Sequence, residues 1–407
     1  MDCFCRFCHT KLDKTFIDLN SSPLANSLLS SEAMLKGEVR YPLHTRVCTK
    51  CYLVQLEPVV SAHDIFSNYI YFSSYSSSWL EHARLFCESM IARFNLGKDS
   101  QIVEVASNDG YLLKNFASVG IPVLGIEPAA NVAKVAIANG IPTKVVFFGA
   151  ESASSLRSNG VVADLICANN VLAHVPDIND FVKGFSILLK SNGIATFEFP
   201  HLLNLIRLNQ FDTIYHEHYS YLSLFSVEQI LSAHGLMVFD VDELPTHGGS
   251  LRVYASFAGA RTEESRVAIL RTKEHKAGLS SLSTYTAFTK VAVKLKSEIL
   301  EFILQVRREG KKIAGYGAPA KGNTLLNYCG IGPEFLPFTV DASPYKQGHF
   351  LPGSRIPVLD PCVLREIKPD YVLILPWNLK DEIAEQLADM RAFGTKFVTA
   401  VPHISIW

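Results

Sequence analysis

The sequence predicts an α/β fold with three parts: a small cysteine-rich module at the N-terminus, a doubly wound middle domain and a second α/β domain at the C-terminal end. Short β-branched runs alternate with amphipathic stretches from residue 101 onwards, and this alternation starts again at residue 311 after a helical interruption. A chain of 407 residues is long enough for two or three domains with separate cores. The predicted parts are residues 1–60, 61–260, a helical connector over 261–310, and 311–407.

The composition is that of an ordinary globular protein, with 48% hydrophobic and 19% charged residues. The formal net charge is -1, so no global basic field attracts nucleic acid or anionic lipid. No apolar run approaches the ~20 residues that a spanning helix needs, and MDCFCRFCHTKLDK contains no apolar signal segment. We therefore expect a cytoplasmic monomer or weak homodimer that binds neither nucleic acid nor membrane.

The N-terminal module contains two C-x-x-C pairs, Cys5/Cys8 and Cys48/Cys51, separated by 39 residues. In a reducing compartment, clustered cysteines more often bind metal than form disulfides. Four thiolates complete a closed, tetrahedral structural zinc site, and a segment with so few apolar runs needs such a staple. A redox pair or unmetallated thiols are the alternatives. Four scattered cysteines are expected to be buried small hydrophobes: Cys87, Cys167, Cys329 and Cys362.

In the middle domain the predicted strands are QIVEVA, PVLGIEP, KVVFFG, ADLICANNV and GIATFEF. The predicted helices between them include YLLKNFASVG, AANVAKVAIANG and DINDFVKGFSILLK. LMVFDVDEL and SLRVYASF then follow with no helix between them, which predicts a closing antiparallel pair at the sheet edge.

Residues 261–312 carry 12 Lys and Arg against 6 Asp and Glu, a local net charge of +6. Apolar residues recur there at steps of three and four, which predicts one amphipathic connecting helix with a basic flank. They are Phe288, Val291, Leu295, Ile299, Phe302 and Val306. A solvated helix face is the simpler interpretation of the charges. KKIAGYGA, FTVDAS, DYVLILPW and KFVTAVP predict the strands of the second α/β domain.

The segment from Glu104 to Gly110 follows the first predicted strand and opens a helix, the place where a doubly wound sheet binds its ligand. It lacks the G-x-G-x-x-G pattern, which argues against a dinucleotide. Glu127 ends the next strand, where a carboxylate can accept both ribose hydroxyls of a nucleoside. Together these features suggest S-adenosylmethionine, although either glutamate could instead cap the following helix. The candidate cofactor-binding residues are Glu104, Ser107, Asn108, Asp109, Gly110, Glu127 and Asn170.

Two histidines flank a glutamate in YHEHY, residues 215–219, an unusual cluster for a core or a solvated loop. The spacing differs from the H-E-x-x-H of zinc enzymes. Histidine has a pKa near neutrality, and an adjacent carboxylate can fix its tautomer, so the cluster suggests general acid/base chemistry. His174, after the fourth strand, would converge on the same cleft, although a structural histidine is an equal alternative for this residue alone.

With these motifs in this order, the chain resembles the nucleotide-sugar C-methyltransferases of deoxysugar biosynthesis over essentially its whole length. The motifs are the paired cysteines, YFSSYSSSW (71–79), EVASNDGYLL (104–113), GIEPA, NNVLAHVPD, YHEHYSYLS, THGGSLRVY (246–254) and YGAPAKGNTLLNY (316–328). The resemblance implies a Rossmann-like class I methyltransferase domain in the middle and a Rossmann-like C-terminal domain that helps to bind the nucleotide sugar.

The resemblance also implies roles for single residues. His218 would be the base, while Tyr215, Glu217 and His174 would hold the sugar. A tyrosine before Trp79 would close the site, and three candidates fit the spacing: Tyr69, Tyr71 and Tyr75.

Two glycine-rich segments complete the substrate-binding candidates. The segment Gly248-Gly249-Ser250 can let backbone approach a ligand closely, with a plain turn into the next strand as an equal alternative. In GYGAPAKG, residues 315–322, a strand runs into a turn and a helix N-terminus suited to phosphate oxygens, with Lys321 as a point charge. Asn323 follows in the same helix and joins these candidates.

We therefore expect an S-adenosylmethionine-dependent C-methyltransferase of a nucleotide-linked, dTDP-type 4-keto-deoxysugar. His218 would take the α-proton, and Tyr215, His174 or a neighbouring donor would stabilise the enolate oxygen. Three alternatives stay open. An O- or N-methyltransferase would leave the histidine cluster underused, a non-catalytic zinc-knuckle binding protein fits poorly with the net charge, and an NAD enzyme would lack its glycine pattern.

Overall fold

The computed structural model describes residues 3–61, Ile65, 73–75 and 77–407, and these residues form three β-sheets. The first sheet takes three strands from the N-terminal module and one from the residues that follow the YHEH motif. In sheet order these antiparallel strands are β1 (Lys14–Ser22), β2 (Tyr41–Val47), β3 (Val54–Leu56) and β9 (Ser220–Tyr221). The pairing of β3 with β9 fixes the cysteine module against the candidate catalytic segment.

The middle sheet has seven strands. They are β4 (Ile102–Val105), β5 (Val123–Ile126), β6 (Thr143–Lys144), β7 (Ala163–Asn169), β8 (Leu189–Pro200), β10 (Leu236–Leu244) and β11 (Ser250–Phe257). Their order is β10-β11-β8-β7-β4-β5-β6, in which β11 is antiparallel to both of its neighbours and all other neighbouring pairs are parallel. The expected antiparallel pair at the sheet edge is confirmed. The chain reverses direction of winding at β4, so the ligand crevice lies at the carboxyl ends of β4, β5 and β7.

Amphipathic helices cover this sheet. They are α1 (Ser77–Phe94), α2 (Leu113–Ser118), α3 (Ala130–Ala138), α4 (Ala150–Ser158), α5 (Ile178–Leu188) and α7 (Leu224–Ser232). Between α5 and α7 in the chain, α6 (Leu202–Arg207) packs instead in the core that includes the first sheet. In α5 the Asp177 side chain caps the first turn by accepting from the Asp180 backbone N–H at 3.0 Å. The apolar residues of α5 recur at steps of three and four and are buried.

The predicted third strand is wrong in length. KVVFFG was expected to be extended throughout, but β6 ends at Lys144 and the side chains of Val145, Val146 and Phe147 are exposed. The strand lies at the sheet edge, and the chain then turns away to Gly149, the residue before the first turn of α4. The β-branched run therefore continues past the last residue that the sheet can pair.

The connector forms two helices rather than one, α8 (Ser265–Lys276) and α9 (Leu282–Arg308). The chain breaks between them where Gly278 adopts a φ of +83°. The predicted apolar face is buried except at Val291, which is 38% exposed, and Phe302, which is partly buried. Phe288 stacks on Phe16 of β1 at 4.7 Å between ring centroids, so the connector shares a core with the cysteine module. Although α9 has 27 residues, no helix in the described part of the chain is long and apolar enough to cross a bilayer.

The C-terminal sheet has six strands. They are β12 (Ile313–Tyr316), β13 (Thr339–Val340), β14 (Val358–Leu359), β15 (Tyr371–Ile374), β16 (Lys396–Thr399) and β17 (Ser405–Ile406). Their order is β14-β13-β12-β15-β16-β17, and all but β17 are parallel. The helices are α10 (Ala320–Cys329), α11 (Cys362–Ile367) and α12 (Lys380–Gln386). Of the four scattered cysteines, Cys362 is exposed at the start of α11, so its expected burial is wrong.

Candidate active site

The four paired cysteines form one compact cluster. The sulfur atoms of Cys5, Cys8, Cys48 and Cys51 all lie within 4.8 Å of one another. The Sγ–Sγ distance is 3.6 Å from Cys5 to Cys51 and 3.4 Å from Cys8 to Cys48. This donor set fits a tetrahedral structural zinc ion, and four protein ligands leave no position for a substrate.

Both cysteine pairs use the same tight turn to aim their sulfurs at one point. The backbone N–H of His9 donates to the Cys5 carbonyl at 3.0 Å, and that of Tyr52 donates to the Cys48 carbonyl at 3.1 Å. His9 and Tyr52 adopt nearly equal left-handed φ angles of 57° and 56°. The Gln55 side chain also donates to the Cys5 sulfur at 3.2 Å, which stabilises thiolate character.

Glu127 organises the candidate cofactor loop after β4. One of its carboxylate oxygens accepts from the Asn108 backbone N–H at 2.9 Å, and the other accepts from that of Ala129 at 2.8 Å. Ala106, Asn108 and Gly110 take positive φ angles, which fold the loop back toward Glu127. Burial raises the pKa of Glu127, and the two backbone donors oppose that rise. Each oxygen keeps a lone pair for a further donor.

Several buried polar atoms around this loop have no hydrogen-bond partner in the described part of the chain. They are Glu104 Oε2, Ser107 Oγ, Asp109 Oδ1, Asn170 Oδ1 and both side-chain polar atoms of Asn169. Burial raises the pKa of Glu104 well above its usual value, and the negative charges of Glu127 and Asp109 add to the rise. Buried polar groups are normally paired, so this crevice fits a ligand rich in hydroxyl and amino groups.

The segment before α1 closes over the cofactor loop. The backbone N–H groups of Ser73 and Ser74 donate to the side chains of Asn108 and Asp109, at 3.0 and 3.1 Å. These two predicted cofactor residues therefore also hold the closing segment. Of the candidate tyrosines, Tyr69 and Tyr71 lie outside the described residues. Tyr75 ends the short helical turn Ser73–Tyr75, and its side chain is likewise outside the description.

The structure brings His218, His174 and Tyr215 together. The His218 ring centroid lies 4.7 Å from that of His174 and 4.1 Å from that of Tyr215. His218 Nδ1 donates to the Thr213 carbonyl at 3.0 Å, which leaves the lone pair on Nε2. Burial lowers the pKa of His218 well below its usual value, and the charge of His174 lowers it further. His218 is therefore neutral near pH 7 and able to accept a proton.

Glu217 does not fix the His218 tautomer, in contrast to expectation. Its carboxylate accepts from the Asn26 side chain at 3.0 Å, and burial raises its pKa. His174 Nδ1 instead donates to the backbone carbonyl of Glu217 at 2.7 Å. His216 bonds to the Pro42 carbonyl at 3.2 Å, which ties the motif to the N-terminal module. The motif folds as a turn, so its four side chains take separate roles.

The two glycine-rich segments are packed by protein side chains. A Cβ on Gly249, whose φ is +111°, would overlap Asn204, and Ser250 Oγ donates to the Thr246 carbonyl at 3.0 Å. These contacts favour the plain turn over a ligand-contacting one. In GYGAPAKG the Ala318 backbone N–H already donates to the Asp341 carboxylate at 2.7 Å. That N–H is therefore already paired within the protein, and phosphate binding by the rest of this segment stays a prediction.

Three family models match consecutive parts of the chain. They describe a zinc binding domain over residues 5–66, a methyltransferase domain over 79–241 and a C-methyltransferase C-terminal domain over 245–402. The C-methyltransferase NovU of Streptomyces niveus is 36% identical over 400 residues, which cover 98% of this chain and 95% of that protein. The chain belongs to this C-methyltransferase family.

Solved structures resemble part of the chain weakly. A S-adenosylmethionine-dependent methyltransferase from Clostridium acetobutylicum is 13% identical and covers 44% of this chain and 92% of its own, with a TM-score of 0.36. The magnesium protoporphyrin IX methyltransferase of Synechocystis PCC 6803 is 13% identical and covers 44% and 83%, with a TM-score of 0.35. The assignment rests on the family models and the curated relative, which identify a S-adenosylmethionine-dependent methyltransferase with a zinc-binding N-terminal domain.

In this C-methyltransferase, two groups that the sequence analysis missed lie beside the cofactor crevice. Glu198, near the end of β8, accepts from His82 at 3.0 Å, from Arg252 at 2.7 Å and from Thr246 at 3.2 Å. Burial favours a raised pKa for Glu198, but His82 and Arg252 hold it below its usual value. A carboxylate near a strand end was the same signal that selected Glu127, so the sequence could have indicated Glu198.

His247 is the second missed group. Its Nε2 lies 3.3 Å from the Asn170 side-chain nitrogen, and its ring centroid lies 5.3 Å from that of Trp79 at the start of α1. A left-handed φ of 54° turns this residue toward the crevice. It therefore joins the carboxyl end of β7 to the helix that follows the closing segment.

Proposed function

We propose that this enzyme methylates the carbon beside the ketone of a nucleotide-linked 4-keto-deoxysugar, of the dTDP type, through an enolate. The neutral, tautomerically fixed His218 supports this proposal most strongly. An alkyl carbon is not a nucleophile until it loses a proton, whereas an oxygen or nitrogen acceptor already carries a lone pair and needs no enolate. A buried base at the site of methyl transfer is therefore most useful for carbon methylation.

His218 would remove the α-proton through Nε2. The C–H electron pair then forms the enolate double bond, and the ketone π electrons move to oxygen. S-adenosylmethionine, when bound, supplies an electrophilic methyl group that this carbon accepts as the ketone re-forms. Positioned general bases contribute about 10² to 10⁴ in rate, and the Thr213 carbonyl keeps the ring in the orientation that this step needs.

The cofactor would bind at the crevice of β4, β5 and β7. Glu127 would accept the ribose hydroxyls with its remaining lone pairs, as acidic residues at this position do. Glu104, Ser107, Asp109 and Asn170 offer buried polar atoms to the rest of the molecule. A cofactor with ribose hydroxyls and an amino-acid tail matches these donors and acceptors.

The sugar would lie between the middle and C-terminal domains, against the histidine cluster. Glu217 Oε2 and Asn323 Oδ1 are buried acceptors with no hydrogen-bond partner in the described residues. The other polar atom of each side chain is already bonded. Glu217 Oε1 accepts from the Asn26 side chain, and Asn323 Nδ2 donates to the Ala25 carbonyl. Fixed acceptors of this kind suit a ligand that presents hydroxyl or amino groups in a defined orientation.

A panel of 4-keto nucleotide sugars with different bases tests this proposal. Incubation with S-adenosylmethionine carrying a ¹³C-methyl group, followed by mass spectrometry and NMR, shows whether a methyl is added and to which atom. We expect a carbon-bound methyl beside the ketone. A methyl bonded only to oxygen or nitrogen would favour the alternative function, and no product from any 4-keto sugar would reject the substrate class.

A further inference from the structure

Lys321 of the C-terminal domain lies beside the base-bearing segment rather than in an open phosphate site. Its ammonium donates to the Asn378 side chain at 2.7 Å and lies 4.4 Å from the centroid of the Trp377 ring. Both partners belong to the turn after β15. The residue is therefore held at a defined position on the C-terminal side of the cleft.

Helix α10 is docked directly on the segment that carries the base. Thr324 Oγ1 donates to the Ile214 carbonyl at 2.9 Å. Lys321 precedes Thr324 by three residues, so both lie on the same face of the helix. Since His218 is bonded to the Thr213 carbonyl, adjacent carbonyls of one short segment hold the base and the lysine-bearing helix.

Asp212 joins the same cluster from this segment. One oxygen of its buried carboxylate accepts from the Trp377 ring N–H at 2.6 Å, and its other oxygen has no hydrogen-bond partner in the described part of the chain. Asp212 and Lys321 thus lie around one tryptophan. Burial lowers the pKa of Lys321 to about 8, and the charge of Asp212 opposes that change.

The charge of Lys321 acts on two histidines of the site. Burial is the main cause that lowers the pKa values of His218 and His247, and the positive charge of Lys321 lowers both further. Across the described elements, the titratable groups whose charges interact with that of Lys321 are Asp212, His218 and His247. An ammonium at this place would act on negative charge that develops beside the base.

The glycine-rich turn before Lys321 does not share this environment. Its Ala318 N–H is bonded to Asp341, and the space beside the Gly317 Cα is filled by the Pro376 ring. Lys346 donates to the Ala318 carbonyl at 3.0 Å on the same side. The turn is thus packed by protein groups, whereas Lys321 lies beside Trp377 and Asn378.

We propose that Lys321 stabilises the enolate oxygen that forms when His218 takes the α-proton, with Asp212 as the residue that positions its charge. This inference rests on the proposed function. The α C–H bond breaks, its proton goes to His218 Nε2, and the ketone oxygen gains the negative charge that pairs with the ammonium of Lys321. When the carbon accepts the methyl group, the carbonyl re-forms and the ammonium keeps its proton.

Exchange of the substrate α-proton with D₂O tests this role without methyl transfer. The full-length enzyme is saturated with S-adenosylhomocysteine and the 4-keto nucleotide sugar, and exchange is followed by NMR. Lys321→Met should lower the exchange rate at saturating sugar by about 10² or more, the usual effect of losing an oxyanion donor. The Kd values for sugar and cofactor, measured by calorimetry, should change by less than about fivefold. Lys321 would act mainly on the charge that forms after deprotonation and only weakly on the bound ketone.

Lys296→Met is the matched control, because Lys296 also stacks on an aromatic ring, at 4.5 Å from the Tyr328 centroid, but outside this cluster. It should keep the wild-type exchange rate. If Lys321→Met keeps its exchange rate and instead weakens sugar binding, the lysine is a nucleotide ligand and the inference is overturned. If the wild-type enzyme itself shows no exchange, the proposed function fails rather than the role of Lys321.

Two further variants decide the question even if Lys321→Met does not fold. Arginine keeps its charge at high pH, so Lys321→Arg should move the alkaline fall of exchange upward from about pH 8. Asp212→Asn should move that fall to lower pH, because it removes the charge that raises the lysine pKa. An alkaline fall at the same pH in both variants would overturn the inference.

Discussion

Glu127→Gln should weaken cofactor binding. The wild-type carboxylate uses one oxygen for the Asn108 N–H and the other for the Ala129 N–H. Glutamine can accept from only one of these donors and presents its own N–H₂ to the other. The loop and the start of α3 then lose their common anchor, and one acceptor for the ribose disappears.

The size of the effect follows from the bonds that are lost. A hydrogen bond to a charged group contributes about 1.5 to 3 kcal/mol. At about 1.4 kcal/mol per factor of ten, loss of one such bond to the ribose raises the Kd about 10- to 150-fold. The backbone N–H left without an acceptor should also lower the free energy of unfolding by about 1 to 3 kcal/mol.

Isothermal titration calorimetry with S-adenosylmethionine measures the first effect, and urea unfolding measures the second. Glu151→Gln is the control, because Glu151 is exposed on α4 and carries the same charge. It should change neither quantity. A folded Glu127→Gln enzyme whose Kd for the cofactor stays within about twofold of wild type would refute the assigned role. Loss of even the weakest expected hydrogen bond, about 1.5 kcal/mol, should raise the Kd by about tenfold.

Three other predictions test separate parts of the structure. Cys48→Ser should lose bound zinc in elemental analysis and lower the Tm, whereas Cys3→Ser, outside the cluster, should keep a full equivalent. Equal zinc in the two variants would reject the ligand set. Gly249→Ala should lower the free energy of unfolding, measured in urea, by more than about 1 kcal/mol. The φ of +111° is strained for alanine, and the new Cβ would overlap Asn204. An unchanged free energy of unfolding would show that the turn can shift. Finally, burial lowers the pKa of His174 to about 4, so its contribution to stability is complete above about pH 6.5 and is lost as the pH falls from there toward 4. Replacing His174 with Gln should flatten this part of the urea stability profile, and a profile as steep as that of wild type would contradict the assignment.

The predictions that succeeded depend on local sequence or on the edge of one sheet. Two C-x-x-C pairs each close through a turn of a few residues, so the pairs can be recognised without the rest of the fold. The antiparallel strands β10 and β11 follow from two adjacent runs with no helix between them. His174 and His218 meet because one follows β7 and the other lies beside β9, which pairs with the N-terminal module.

The predictions that failed, and the groups that were missed, depend on contacts that a sequence pattern does not reveal. The tautomer of His218 is set by a backbone carbonyl, which no side-chain pattern reveals. The group formed by Asp212, Lys321 and Trp377 comes from two domains and is assembled only by their packing. The strand expected over KVVFFG ended early because β propensity does not show where a sheet edge stops.

The most direct test of the central claim compares His218→Ala with His216→Gln in a single exchange experiment. His218 is assigned as the base of enolate formation, whereas the neighbouring His216 binds the Pro42 carbonyl of the N-terminal module. With S-adenosylhomocysteine bound, the wild-type enzyme and His216→Gln should both exchange the substrate α-proton with D₂O. His218→Ala should lose exchange and methylation together by about 10² or more, with cofactor affinity close to that of wild type. Retention of more than about a tenth of the exchange rate in His218→Ala would contradict the account, because a true general base contributes more than that.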